Sequence, residues 1–282
     1  MVDLHLHTNA SDGRCSPAEL VARASAAGIT VLSVVDHDTF DAQPDVARHA
    51  ATAGLRAVTG IEITAVWNGI DVHVLGYFLD PPSADLRRFL ERQREDRVRR
   101  VQAMLDRLRA LGVPVPFEDV VVPVGSRPPH AIGRPQVARA MVRAGHVANI
   151  HEAFDRYLAE GQPAFVPRSG SAPADVVRLI VASGGIASLA HPGLLGRDEL
   201  IPALATAGMQ AIEVYHPDHS PEVVACYSAI AQRCGLAVTG GSDYHGEQTH
   251  GAPLLGRVTL PSKDFERLDT LARRQSSHGS AS

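Results

Sequence analysis

Short apolar runs alternate with amphipathic stretches along most of this 282-residue chain. Residues 2–7 alternate with a period of two, as a strand does. Residues 17–28 read as a helix, with Ser16 as its N-cap and Gly28 as its stop. Residues 29–35 form a nearly continuous apolar run, the mark of a parallel strand buried on both faces. A helix over residues 45–54 and strands over 57–64 and 71–77 follow. This β-α-β-α-β order predicts an α/β fold with a mainly parallel sheet.

The alternation breaks at residue 83 and resumes after 167. Residues 85–111 form a long charged helix, followed by a Pro-rich connector and helices at 134–145 and 149–160. Residues 83–167 therefore read as a helical insertion, a cap on a main domain made of 1–82 and 168–275. Val98, Val101, Leu105 and Leu108 recur at helical spacing and predict a packed face on the long helix. Its arginines 87, 88, 92, 94, 97, 99 and 100 interleave with Glu and Asp and read as a solvated face. Further βα units follow, with strands at 185–190, 211–215 and 236–240 and helices at 173–183, 199–207, 221–234 and 263–274. The polar run QSSHGSAS, from Gln275, predicts a disordered tail at 276–282.

Composition limits the setting. A net charge of −4 gives no bulk attraction to polyanions, so any nucleic-acid contact must be local. Cys15, Cys226 and Cys234 are dispersed, without CxxC spacing. That argues against a disulfide framework or a thiolate zinc site and for a reducing compartment. The N-terminus lacks a basic start followed by an apolar run, and no stretch approaches the ~18–20 apolar residues of a membrane span. The expected location is the cytoplasm, with no membrane contact.

Nearly every expected strand ends in a residue type that binds metal. The first carries His5 and His7, with Asp12 in the loop beyond; the second runs into Asp36-His37-Asp38. Glu62, His73 and His191 follow on later strands, then Glu213, His216 and His219, and finally Asp243 and His245. In a (β/α) barrel the C-terminal strand ends open onto one face, so residues distant in sequence converge there. The two-residue step from His5 to His7 places both side chains on one side of a strand. A lone histidine in a strand is usually a hydrogen-bonded core residue, but burying so many without partners would be expensive. A shared polynuclear site satisfies them together. Imidazole and carboxylate donors without thiolate suit Mn, Zn or Fe and hydrolytic chemistry. The set His5, His7, Asp12, His37, Glu62, His73, His191, Asp243 and His245 is enough for two to three divalent ions. Asp36 and Asp38 read as hydrogen-bonding or capping groups, and Asp3 and Asp71 as structural. His49, His130, His146, His151, His250 and His278 have no supporting pattern.

HLHTNASDG (5–13), VVDHDT (34–39), GIEIT (60–64), HVLGY (73–77), LAHPG (189–193) and GSDYHG (241–246) together resemble the PHP (polymerase and histidinol phosphatase) metallophosphoesterases, in the family's order. The resemblance implies a distorted (β/α)7 barrel with a trinuclear centre. One metal would be held by His5, His7, Glu62 and Asp243, a second by Glu62, His73 and His191, and a third by Asp12, His37 and His245. The insertion and GRPQVARAMV (133–142) resemble the branch that contains 3′,5′-nucleoside bisphosphate phosphatases and 5′→3′ exonucleases of short RNA or single-stranded DNA. Arg134 matches that branch's phosphate-binding arginine. Gln136 stands where the branch has histidine. His219-Ser220 matches its HS pair, whose histidine reaches substrate phosphate.

The resulting expectation is hydrolysis of a nucleotide phosphoester by a hydroxide that bridges the metals. The substrate would be a nucleoside 3′,5′-bisphosphate or a short single-stranded oligonucleotide. Arg134 would neutralise phosphate charge, with His219 and Gln136 beside it. Asp243 and His191 would assist proton transfer. Two alternatives remain open: a small-metabolite phosphatase such as one for histidinol phosphate, and a non-catalytic, metal-stabilised binding module. Oligomeric state is not legible.

Overall fold

A computed structural model describes residues 1–79, 82–121, 132–246, 248–249, 252–253 and 255–279, with 248–249, 252–253 and 276–279 described by backbone alone. Parallel strands β1 (Val2–Leu6), β2 (Val31–Val34) and β3 (Arg56–Ala57) form one sheet in that order. The second sheet has the order β4 (Gly60–Trp67), β5 (Ile70–Tyr77), β6 (Ile186–Leu189), β7 (Ala211–Tyr215), β8 (Ala237–Gly240). Among the described residues, two isolated bridges connect the sheets. His37 bridges Glu62 at the end of β2, and Leu6 bridges Tyr244 beyond β8. The joins are isolated bridges rather than ladders, so the described strands do not form one continuously hydrogen-bonded barrel.

The second sheet is not mainly parallel as expected. β4 and β5 pair antiparallel along their whole length, from Gly60↔Tyr77 to Trp67↔Ile70, and β5 pairs antiparallel with β6. The cause is the two-residue turn Asn68-Gly69, in which both residues have positive φ (+50° and +80°). An Asn-Gly pair at such angles makes the tight turn whose twist matches a hairpin. The expected strand at 57–64 accordingly splits, its first residues pairing in one sheet and its last in the other.

Helices α1 (Pro17–Ala26) and α2 (Gln43–Thr52) cover the first sheet; α7 (Pro173–Ala182), α9 (Leu200–Thr206) and α10 (Pro221–Cys234) cover the second. Ser16 caps α1 through a reciprocal box with Glu19, and Ser220 caps α10. A short helix, α8 (Pro192–Leu195), follows β6 directly. The last helix, α11 (Ser262–Gly279), continues through residues expected to begin a disordered tail; residues 280–282 lie outside the described set.

α3 (Ala84–Ala110) belongs to two cores. Leu86, Phe89 and Leu90 pack with Ile63 and Val74 of the second sheet and with Ile180 of α7. Val101, Met104, Leu105 and Leu108 join a separate cluster with Val137 and Met141 of α5 (Arg134–Arg143) and with Leu158. Val98, expected on the packed face, is 38% exposed. The expected helix at 149–160 is a short α6 (Ile150–Ala153) followed by a π-helical turn (Phe154–Leu158), and α4 (Phe117–Val120) precedes the undescribed 122–131. His130 and His250 lie outside the described residues.

Candidate metal centre and phosphate cavity

The strands and the loops after them bring all nine candidate ligands together, although Glu62 is the third of eight residues in β4 and His73 the fourth of eight in β5 rather than at a strand's end. Glu62 is central: its Oε2 lies 3.3 Å from Nε2 of His5, Nε2 of His7 and Nδ1 of His37. Its Oε1 lies 2.8 Å from His73 Nδ1 and 3.1 Å from His191 Nε2. Asp243 Oδ1 faces His5 and His7, at 3.3 Å from each Nε2. Asp12 stands 3.2 Å from His245 and 3.6 Å from His37.

The donor atoms gather into three groups, each with its atoms within 4.8 Å of one another: His7, Asp12, His37 and His245; His5, His7 and Asp243; and His37, Glu62 and His73. This resembles the expected partition but differs from it. His7 also leans toward the Asp12 group, and His37 toward Glu62 and His73. His191 meets Glu62 but stands outside the third group.

The local backbone is arranged around these side chains. Asp36 accepts hydrogen bonds from Thr8 N, Thr8 Oγ1 and Ser11 Oγ at 2.6–2.7 Å, tying the loop after β1 to the end of β2. A Cβ added to Gly241 would lie 2.4 Å from His5 N, so only glycine lets these strands approach this closely. His191 and Asp243 have φ of +26° and +47°, unusual for non-glycine residues. Such conformations persist where surrounding contacts fix them, as at functional sites.

The donor set fits divalent cations. Among the described residues, both ring nitrogens of His7, and Nδ1 of His37 and of His73, are buried without a hydrogen-bond partner despite their nearness to carboxylates. Buried polar atoms in native proteins are normally satisfied, so the cluster is chemically complete only with a further partner for these lone pairs. Burial opposes protonation of His7, yet the carboxylates of Asp243, Glu62 and Asp12 outweigh it and raise its pKa to about 10. Burial lowers His37 to about 4 despite Glu62 and Asp12, with His7 and His73 adding to the effect. Burial would also keep Glu62 neutral, but His37, His73, His5 and His191 hold it well below the usual carboxylate range. A metal needs the imidazoles neutral and the carboxylates charged, so loading expels the His7 proton.

A cavity of about 330 Å³ opens beside Asp12, His37, His73 and His245. Its other wall carries Arg97, Arg100, Arg134, Arg139 and Arg168. Arg134 lies over the rings of Phe154 and Phe165, 5.9 and 5.5 Å from their centroids. Arg168 faces Asp71 at 3.4 Å. Burial and the neighbouring Arg168 and Arg134 lower the Arg100 pKa to about 10, a sign of crowded positive charge. Arg97 pairs with Asp38, which also accepts from Thr64 N at 3.0 Å, so Asp38 is a hydrogen-bonding group as expected of it.

Two expected substrate contacts are otherwise engaged. His219 donates through Nδ1 to Val214 O at 2.8 Å, accepts at Nε2 from Gly193 N at 3.2 Å, and is outside the cavity lining. It braces the loop after His191. Gln136 lines the cavity, but its Oε1 accepts from Gly133 N at 3.0 Å and caps α5.

Sequence reasoning did not assign Glu213, His216, Arg97, Arg100 or Arg168 to the site. Arg97 carried a signal: no acidic residue lies three or four positions away on α3, whereas Arg88 and Arg99 pair with Asp85 and Asp96 on the solvent face. Arg168 carried none.

A PHP domain model matches residues 3–111. The chain is 34% identical over 265 residues to a 3′,5′-nucleoside bisphosphate phosphatase of Chromobacterium violaceum, with 92% of each chain covered. It is 32% identical over 248 residues to a 5′-3′ exoribonuclease of Haemophilus influenzae, covering 86% of this chain and 89% of that one. A Bifidobacterium adolescentis crystal structure, provisionally described as a metal-dependent phosphoesterase, superposes with a TM-score of 0.82 at 30% identity over 94% of both chains. With its His, Asp and Glu motifs gathered at one site, the chain belongs to the PHP-domain family.

Proposed function

We propose that this protein is a metal-dependent phosphoesterase acting on nucleotide phosphoesters: the 3′-phosphate of a nucleoside 3′,5′-bisphosphate, the terminal linkage of a short single-stranded oligonucleotide, or both. The observation that carries this reading is the apposition of the His/Asp/Glu cluster and the arginine-lined cavity. Two to three divalent ions, Mn, Zn or Fe, would be held by the nine residues His5, His7, Asp12, His37, Glu62, His73, His191, Asp243 and His245. We read the two joined sheets as a distorted (β/α)7 barrel and residues 83–167 as a helical cap over the cavity, with α3 shared between them.

Bound ions supply Lewis acidity that makes hydroxide available near neutral pH and offsets phosphate charge. The chain's own residues do the rest. Arg134 meets the non-bridging oxygens, where its fixed charge is worth most as the transition state forms. His191 and Asp243 are 16% and 25% exposed, whereas His5 and His7 are fully buried, so the former pair can reach substrate and exchange protons with it. Arg100 and Arg168 offer positive charge to a second phosphate. A 5′-phosphorylated oligonucleotide and a 3′,5′-bisphosphate place their 5′-phosphate at one spacing from the scissile 3′-phosphoester, so one cavity suits both.

Phosphate release from adenosine 3′,5′-bisphosphate, from histidinol phosphate and from 5′-phosphorylated oligomers, each with Mn²⁺, tests the proposal. Turnover of the nucleotides in preference to histidinol phosphate supports it; no turnover of any nucleotide overturns it. Arg134→Gln is expected to lower kcat/KM on the bisphosphate about 10²–10³-fold.

A further inference from the structure

Strand β7 and the turn after it supply none of the nine candidate ligands, yet they touch three of them. Glu213 is fully buried and bonds through both oxygens. Its Oε1 accepts from His5 Nδ1 at 2.8 Å, and its Oε2 accepts from the backbone N–H of His191 at 2.8 Å. The first bond puts the proton of neutral His5 on Nδ1. The lone pair of Nε2 then faces Glu62 and Asp243. The second bond holds the amide of a residue whose own φ is +26°.

His216 does the same for Asp243. Its Nδ1 accepts from the backbone N–H of Asp218 at 3.2 Å, so Nε2 carries the proton. Nε2 stands 3.3 Å from Asp243 Oδ2. That oxygen is engaged, and Oδ1 is left facing His5 and His7. His216 is 3% exposed.

We propose that Glu213 and His216 are positioning residues of the metal centre: β7 fixes the tautomer of His5, the strained backbone of His191 and the carboxylate rotation of Asp243 before any ion arrives. The inference rests on the metal reading above. Outer partners of metal ligands are commonly worth 10–100-fold in metal affinity, because they remove torsional freedom that binding would otherwise have to freeze.

The test uses the full chain, stripped of metal and titrated with Mn²⁺ alone, with the rate of Mn²⁺ loss to EDTA as a second readout. Glu213→Gln and His216→Ala are expected to weaken Mn²⁺ binding 10–100-fold and to speed its release. Their metal-free melting temperatures should stay near the parent's. His216→Gln, whose side-chain amide can donate to Asp243, should recover most of the affinity. Asp218→Ala should change nothing, because the backbone N–H fixes the His216 tautomer. Retention of Mn²⁺ within threefold of the parent by His216→Ala and Glu213→Gln overturns the inference. So does a loss in His216→Gln as large as in His216→Ala, which also decides the matter if the alanine variant does not fold. A parent chain that binds no Mn²⁺ contradicts the metal reading itself.

Discussion

At the scale of residues, the cluster is a set of titrating groups in conflict. Glu62 lies against five imidazoles, and His7 and His37, with ring centroids 4.8 Å apart, are driven to opposite protonation states. This predicts a pH signature for the metal-stripped protein. His7 rises from 6.5 to about 10, so its contribution is complete below its unfolded value and is lost as pH rises through about 10. Glu62 and Asp243 are held low, so theirs is present above the ordinary carboxylate values and lost as pH falls. In EDTA, thermal melts should therefore be highest at weakly acidic pH and decline between neutrality and pH 10. Loading Mn²⁺ should remove the alkaline decline, because the metal takes the place of the His7 proton. An alkaline decline that is the same with and without Mn²⁺ would count against this electrostatic account. The buried Arg97–Asp38 pair makes a second prediction. Arg97→Ala strands the Asp38 carboxylate and should cost about 3–5 kcal/mol in denaturant unfolding. A change below about 1 kcal/mol would mean that the pair is solvated.

At the scale of elements, much was legible in the sequence, and the failures have physical causes. The expected bounds of α10, 221–234, match the observed ones, where Ser220 caps the start and left-handed Gly235 ends the helix. The convergence of the His, Asp and Glu side chains was legible because β-strands project in known directions and the βα pattern brings their ends to one face, although Glu62 and His73 lie inside the hairpin strands. The antiparallel hairpin was missed although its Asn-Gly turn was in view, since an apolar strand alone does not state its direction. The inner face of α3 was missed for another reason. Arg97 and Arg100 look like their solvated neighbours until α5 and the segment ending at Arg168 fold against them. The family resemblance places His219 at substrate phosphate, but strand β7 and the Gly193 loop engage both its nitrogens. On this view His219→Ala should disturb the His191 loop, leaving bisphosphate KM little changed while kcat falls. A selective rise in KM would restore the phosphate-contact role.

At the scale of the whole molecule, the cluster lies where the two sheets meet. The bridge between His37 and Glu62 and the one between Leu6 and Tyr244 each place site residues at a join. Ions shared among His5, His7, Glu62 and Asp243 would tie β1 to both ends of the second sheet. Chelation should then expose the N-terminal strand to protease as well as stop catalysis, and unchanged cleavage there with and without EDTA would contradict that linkage. The proposed function couples this candidate metal cluster to nucleotide phosphoester hydrolysis. The most direct measurement is phosphate release from adenosine 3′,5′-bisphosphate by the metal-loaded parent, by the same protein after chelation, and by Asp243→Ala. We predict turnover by the parent, its loss on chelation with return on Mn²⁺ addition, and no return in Asp243→Ala. Turnover that survives both chelation and Asp243→Ala would contradict the account.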